Sequence, residues 1–501
     1  MYHISDVKKY TRCPRLYVNE KNAPRREYQP FVRLDEEVTT LVAEKLHITD
    51  RYFLGQKGDE PQKALDAMQN SEWLMKARFE YKQLRVKVPF LHHTKNGWNL
   101  YFMFIGLYPH ADDMQFYCDV VWVLENNHIK LRNIYIIHLN ADYVRGKELD
   151  ADALFIISDC FYNGKNNPSV KIRDAIYKSK HDISQILNEM DLLNDGRIPP
   201  AVRSSKCTTR QKCLYYESCF PNEMEEPDNS ILSLIASQHK HAMKEEGIDY
   251  LRDADPERIE GSRQQYAQIM ADREGGLHVD RFALKSWLSW IKYPIAFLDF
   301  EWERFAVPPY EGMKPYDVMP FEYSLHVMQA DGSMTHQVYL NIHDDREDMA
   351  RNLVNDIPAA GTVIAYNAAG AEMMRIAELA DQFPQYAEKL RSINERMEDL
   401  QLIFETGTVY DVRMRGQWSL KVIMAMMNDK SYKDLDINQG MDAVFQWRHL
   451  DYSDAAADHD KIVEDLKKYC GMDSYAMTVV FKWLQKIDQE NINVKSSEAL
   501  F

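Results

Sequence analysis

The chain has 501 residues, too many for one ordinary core, and its composition (45% hydrophobic, 28% charged) is that of a globular protein with several domains. A net charge of −16 argues against a protein that coats duplex nucleic acid indiscriminately, because such proteins need a large basic surface; an acidic site rimmed by local Lys and Arg remains compatible with it. No apolar run reaches the length of a membrane span and the start, MYHISDVKKYTRCPR, has no apolar signal core, so a cytoplasmic protein without a membrane partner is expected.

Residues 1–225 read as a mixed α/β region. It opens on a short amphipathic helix in SDVKKYTRCPRLYV, with Cys13 just before a proline, and continues through strand-like runs such as WNLYFMFIGLYP and RNIYIIHLN. It closes on CTTRQKCLYYESCF, where Cys207, Cys213 and Cys219 are spaced C-x5-C-x5-C. Seven cysteines, an odd number, argue against a disulfide framework; Cys118, Cys160 and Cys470 read as core thiols. The polar stretch PNEMEEPDNS marks a boundary, and residues 226–292 read as a helical linker. A second α/β region spans 293–487, and 488–501 is expected to be a frayed tail.

The second region opens on YPIAFLDFEWERF. Strand side chains alternate between faces, so Asp299 and Glu301 project side by side, opposite Ala296, Leu298, Phe300 and Trp302. Two like charges on a largely buried strand are costly unless a divalent metal neutralises them; a half-exposed strand with an acidic row Asp299, Glu301, Glu303 is the plainer alternative. MPFEYSLHVMQADGSMTHQVYLNI reads as two strands about a turn at Ala330-Asp331-Gly332, in an antiparallel meander with the first. In GTVIAYNAAGAEMMRIAELA a buried strand, 362–366, runs into a helix, with Asn367 and Glu372 at the junction where open α/β sheets place their sites. Glu372 is equally an acid favoured by a helix N-terminus. In DKIVEDLKKYCGMDSYAMTVVFKWLQKI one helix face carries Ile462, Leu466, Cys470, Met477, Val480, Phe481 and Leu484, and Tyr469 and Asp473, four apart, lie on or beside it.

D-x-E on a strand, an acid at a strand–helix junction and Y-x-x-x-D on a late helix together resemble the DEDD family of 3′–5′ exonucleases on the RNase H-like (DnaQ-like) fold, over roughly residues 293–487. The resemblance implies two Mg²⁺ or Mn²⁺ ions roughly 4 Å apart, held by Asp299, Glu301, Glu372 and Asp473, with Tyr469 orienting the attacking water. The family's second motif usually supplies Asp; here Glu372 takes that place, with Asp381 as fallback. Asp399 reads as a strand-opening structural residue, and Lys421 as facing either the site or, the plainer reading, solvent. Trp302, Phe305 and Tyr310 are candidates to stack on terminal bases of a single strand, or to be core.

Cys13 with the late trio resembles the iron–sulfur staple of RecB-like nucleases of the PD-(D/E)XK fold. This implies a [4Fe–4S] cluster on Cys13, Cys207, Cys213 and Cys219, with zinc as runner-up. That fold's nuclease chemistry asks for an Asp near Lys87 to Pro89 in LRVKVPFL and for E-x-K within LYFMFIGLY; neither is present, while Glu80 and Lys82 in FEYK have the spacing but precede the expected strand. The N-terminal region therefore resembles a RecB-like domain that has lost its metal ligands. ADDMQFY with Gln115 and NADYVRGKELD match the fold's later segments.

The order of both halves resembles the bacterial family known as domain of unknown function 2779. The stretches that carry it are FLDFEWERFAVPPYEGMKPYDVMPFEYSLHV, HDDREDM, VIAYNAAGAE, AEKLRSINERMEDL, GQWSLKVI, SYKDLDI and YCGMDSYAM. The expected protein is a metal-dependent 3′–5′ exonuclease acting on single-stranded DNA or RNA ends. The alternative is a non-catalytic nucleic-acid-binding scaffold with two decayed nuclease folds.

Overall fold

The computed structural model describes residues 1–23, 31–194, 197–208, 212–427, 437, 440–450 and 456–498. The chain divides into two compact units: Met1–Pro221 with Phe305–Asp317, and Asn222–Arg304 with Val318–Phe501. Among the described residues no helix is long and apolar enough to cross a membrane.

The first unit opens with β1 (Tyr2–His3), α1 (Ile4–Arg12), α2 (Pro14–Asn22) and α3 (Phe31–Lys45). Its main sheet has the order β2 (Tyr52–Leu54), β3 (Trp73–Tyr81), β4 (Leu84–Thr94), β5 (Gly97–Phe104), β6 (Leu131–Leu139) and β7 (Phe155–Ser158), with β1 parallel to the start of β4. In β4 the alternation LRVKVPF sends Leu84, Val86, Val88 and Phe90 into the core and leaves Arg85 and Lys87 more accessible. Lys82 and Gln83, both at positive φ, close the β3–β4 hairpin as a two-residue turn. The apolar helix α4 (Met114–Asn126) is the crossover that lets β5 and β6 pair in parallel; its Val120 and Val123 pack among Phe79, Val86 and Phe102.

The second unit starts with α5 (Arg263–Arg273), β8 (Leu277–Val279) and α6 (Arg281–Trp290). Its sheet consists of β9 (Ile295–Arg304), β10 (Val318–Met328), β11 (Met334–Leu340), β12 (Thr362–Ala365) and β13 (Met397–Asp399), in the order β11-β10-β9-β12-β13. The first three are antiparallel neighbours, and β12 and β13 add in parallel through α7 (Arg346–Asp356) and α8 (Glu372–Gln382). The predicted meander and strand-to-helix junction are therefore both present. Gly361 turns the chain into β12 at φ +92; a Cβ there would come within 2.0 Å of the Pro294 carbonyl oxygen, which excludes any side chain.

One sheet face buries Leu298, Phe300, Tyr323 and Leu325 beneath α7 and α8. Downstream come β14 (Val409–Asp411), α9 (Leu420–Met426), α10 (Gly440–Leu450) and the long α11 (Ala456–Glu498), which buries Leu466, Cys470, Met477, Val480, Phe481 and Leu484. All of β10 is buried because both of its faces are covered. The stretch read as a linker is gathered into this unit, where β8 pairs with β14. The segment expected to fray from 488 is helical through Glu498, because α11 simply continues.

Candidate active site

Alternation along β9 directs Asp299 and Glu301 towards α11, which supplies Asp473. One carboxylate oxygen from each of the three lies within 4.8 Å of the others. The docking of α11 that puts Asp473 there is fixed by the next residue: Ser474 is fully buried, 2.6 Å from Ser324 Oγ and 2.8 Å from His326 Nδ1 on β10. Cys470, a buried thiol as expected, also touches the site, its Sγ lying 3.6 Å from Asp299 Oδ2. Burial, then repulsion from Asp473, holds Asp299 and Glu301 well above the usual carboxylate range. Such a group needs protons or a cation.

Glu372 opens α8 and is 2% exposed. Its carboxylate accepts from the Phe300 backbone N–H, and burial pushes it up to about 8. It lies outside the 4.8 Å trio, yet near enough for its charge to raise both Asp299 and Glu301, and its Oε2 has no hydrogen-bond partner among the described residues. The fallback Asp381 is exposed and paired with Arg391 at 3.0 Å, away from the cluster. Asp399 ends β13 instead of opening a strand, and accepts from the backbone N–H groups of Asn367 and Gln401.

Tyr469 lies one turn before Asp473, its hydroxyl pushed far above its ordinary range by burial and then by Asp473, Glu301 and Asp299. Lys421 takes the site-facing orientation and brings its ammonium to 3.3 Å from that hydroxyl. The reason is packing: α9 and α11 are in contact, so the exposed-looking position in QWSLKVI is turned inward. Gly440, the first residue of α10, sits against the same atoms; a Cβ on it would lie 3.9 Å from Glu301 Oε2 and 4.0 Å from the Tyr469 oxygen. Of the matching stretch SYKDLDI, residues 431–436 lie outside the described residues.

Glu322 was not anticipated. It stands opposite Glu301 on β10, is fully buried, and neither carboxylate oxygen has a hydrogen-bond partner among the described residues. Burial pushes it up to about 8, and its charge raises Glu301. Period-two alternation within VMPFEYSLHVM was the available signal. Glu303 does not extend the acidic row: the register shifts after Glu301, and Glu303 binds Arg448 at 2.6 Å. Trp302 packs against the core with the Arg375 guanidinium 5.3 Å from its ring, whereas Phe305 and Tyr310 belong to the first unit.

In the first unit Cys13, Cys207, Cys213 and Cys219 line one small cavity, and all four are free thiols. The chain ends around it are tied by Arg12 Nη2 donating to the Lys206 carbonyl at 3.0 Å and Lys206 Nζ donating to the Thr11 carbonyl at 3.2 Å. Glu80 binds Arg85 at 3.0 Å, and Lys82 donates to Ser184 Oγ, so the FEYK pair does not converge.

The second unit is thus an α/β domain with half-buried carboxylates gathered where its central strand meets a long helix. Residues 296–419 match the family model described as domain of unknown function (DUF2779). The match includes Asp299, Glu301, Glu322 and Glu372 and ends before Tyr469 and Asp473. No curated protein and no solved structure matches the chain.

Proposed function

We propose that the second unit is a metal-dependent 3′–5′ exonuclease acting on single-stranded DNA or RNA ends. The observation that carries this reading is the convergence of Asp299, Glu301 and Asp473, all half-buried, within 4.8 Å, with the buried Glu372 alongside. Hard carboxylate oxygens suit Mg²⁺ or Mn²⁺, and the unpartnered buried oxygens of Glu372 and Glu322 leave acceptor capacity that a cation would use. When bound, a pair of such ions supplies an activated water and neutralises charge at the phosphoryl group. The chain's own residues do the rest: Asp299, Glu301 and Asp473 hold, Glu372 completes from the α8 side, and Tyr469 orients the attacking water. Lys421, at 3.3 Å, keeps the Tyr469 oxygen in place as acceptor of its N–H. The order β11-β10-β9-β12-β13, three antiparallel strands followed by two parallel ones, supports the RNase H-like reading.

For the first unit the reading is a RecB-like domain without nuclease ligands, stapled by a [4Fe–4S] cluster on Cys13, Cys207, Cys213 and Cys219. Tetrahedral zinc at about 2.3 Å needs sulfurs roughly 3.8 Å apart. No three of these sulfurs fall within 4.8 Å of one another, although all four face one cavity, and a cubane spreads its thiolates more widely.

The test is stepwise shortening of end-labelled single-stranded DNA and RNA with Mg²⁺ or Mn²⁺, beside Asp299→Ala and Asp473→Ala. Degradation from the 3′ end that both variants lose supports the reading. Binding without cleavage under either metal turns it towards a scaffold.

A further inference from the structure

From residue 281 to residue 298 the chain reads RFALKSWLSWIKYPIAFL, with five aromatic rings, three cations and no carboxylate, in a protein whose net charge is −16. Its first ten residues form α6, and the helical period divides them into two faces. Leu284, Trp287 and Leu288 make the inner face: Leu284 is fully buried, and the Trp287 ring meets Phe481 of α11 edge-on at 6.2 Å. Phe282, Lys285, Ser286, Ser289 and Trp290 fall on the outer one. Phe282 is 90% exposed and Trp290 69%, and Tyr293, just past the helix end, is 40% exposed. Rings gathered on one solvent-facing surface, unlike apolar residues scattered singly, mark an interaction site. We infer that the outer face of α6 is a stacking platform for a single-stranded nucleic acid. This deepens the exonuclease reading and rests on it for the fate of the strand, which leads from α6 to the acid cluster.

Charge complementarity selects the occupant. A single strand offers unpaired bases that stack on aromatic faces and phosphates that lysines neutralise. Arg281 is engaged within the fold, whereas Lys285 on the outer face and Lys292 beyond it are exposed, and among the described residues neither has an ion pair or a side-chain hydrogen bond. Phe282 and Trp290 are eight residues apart, about 12 Å along the axis, so a strand laid along α6 meets both rings. Two carboxylates flank the face. Asp280 caps the helix, accepting from the Ala283 N–H, and binds Arg263 at 2.6 Å; Asp488 lines the cavity of about 190 Å³ shared by Leu288, Ile291, Tyr293 and Phe481. A lipid surface would take a continuous apolar face, and Lys285, Ser286 and Ser289 interrupt this one. The platform also lies on the side of the sheet that holds the acids. Phe481 meets Trp287 and, at 5.7 Å, Phe297 of β9, which shares its face of the strand with Asp299. Six residues lead from Tyr293 to Asp299, a span of at most about 22 Å.

The experiment measures binding of a fluorescently labelled oligothymidylate to the full-length protein by anisotropy, without divalent metal and across a salt series. The pair Phe282→Ala/Trp290→Ala and the single Lys285→Ala, all at exposed positions, are compared with wild type, with thermal melting as a folding control. A loss of affinity of about tenfold for each ring removed, and a salt slope shallower by roughly 0.7 in Lys285→Ala, support the platform. Unchanged affinity in the double variant overturns it. A wild type that binds no strand also overturns it, and binding to phosphatidylserine vesicles would then assign the face to lipid. Cleavage separates the two proposals. With Mn²⁺ the double variant should cut the strand with a raised KM and an unchanged kcat, while Asp299→Ala should lose cleavage and keep strand binding. Ring-dependent binding by a wild type that cuts nothing overturns the exonuclease reading and leaves the platform standing.

Discussion

The two units hold their charged side chains differently, and the contrast follows from how each sheet is covered. In the second unit a long helix closes over β9 and β10, so the half-buried Asp299, Glu301 and Asp473 gather beside the fully buried Glu322, and burial with repulsion from their neighbours holds Asp299 and Glu301 well above the usual carboxylate range. In the first, Lys76, Arg85 and Lys87 stand at a cavity of about 320 Å³ and keep contact with solvent. Like charges that crowd together away from water call for a counter-ion inside the fold, whereas Arg85 of the first unit already meets Glu80 and Glu60. The same alternation of side chains along a strand makes both arrangements.

The largest expected effect breaks the acidic half. Asp473→Ala should lower exonuclease turnover by about 10³-fold or more, because a misplaced ion forfeits several kcal/mol of transition-state stabilisation; gel analysis of end-labelled strands reads this. Binding of the strand without cleavage should persist in that variant. Next, Mn²⁺ at about 100 times its Kd should stabilise the wild type by about 2.7 kcal/mol in denaturant titrations. Asp299→Ala should lose that gain.

Tyr469→Phe and Lys421→Ala should each reduce turnover by about 10–100-fold while leaving Mn²⁺ stabilisation intact, since neither is a ligand. An equal loss of metal affinity would instead make them structural. The smallest effect concerns pH. Glu322 holds its proton to about 8 in the folded protein, whereas an exposed glutamate ionises near 4.3. Between those values the folded state binds the extra proton, so metal-free stability should fall as pH rises from about 5 to 8. Glu322→Gln should flatten that slope, a change on the order of 1–2 kcal/mol once relaxation is allowed for. Urea midpoints at both ends of the range measure it, and an unaltered slope would assign the titration elsewhere.

Local pattern was a reliable guide wherever periodicity and burial coincide. The strand of Asp299 and Glu301, the hairpin around Asp331 and the helix of Tyr469 and Asp473 were each legible, because each is a segment whose apolar face declares its orientation. Glu322 was not legible as a site residue: its strand is buried on both faces, so a lone acid in VMPFEYSLHVM reads as ordinary alternation until its partner across the ladder is known. Of the two orientations open to Lys421 the structure takes the site-facing one, and nothing within its own helix shows that α11 packs against it. Glu303 went the other way, its alternation with Glu301 being undone by one irregularity in the ladder and by Arg448.

Residue types and spacing by themselves determined the elements, the acids available for metal chemistry and the four thiols of the N-terminal region. Tertiary structure alone decided which acids meet, that Glu372 stands beside the trio and not within it, and that three basic side chains share one cavity. The physical reason is range. Periodicity is set by neighbours three or four residues apart, whereas charge repulsion and desolvation depend on distances between side chains as remote in sequence as Asp299 and Asp473.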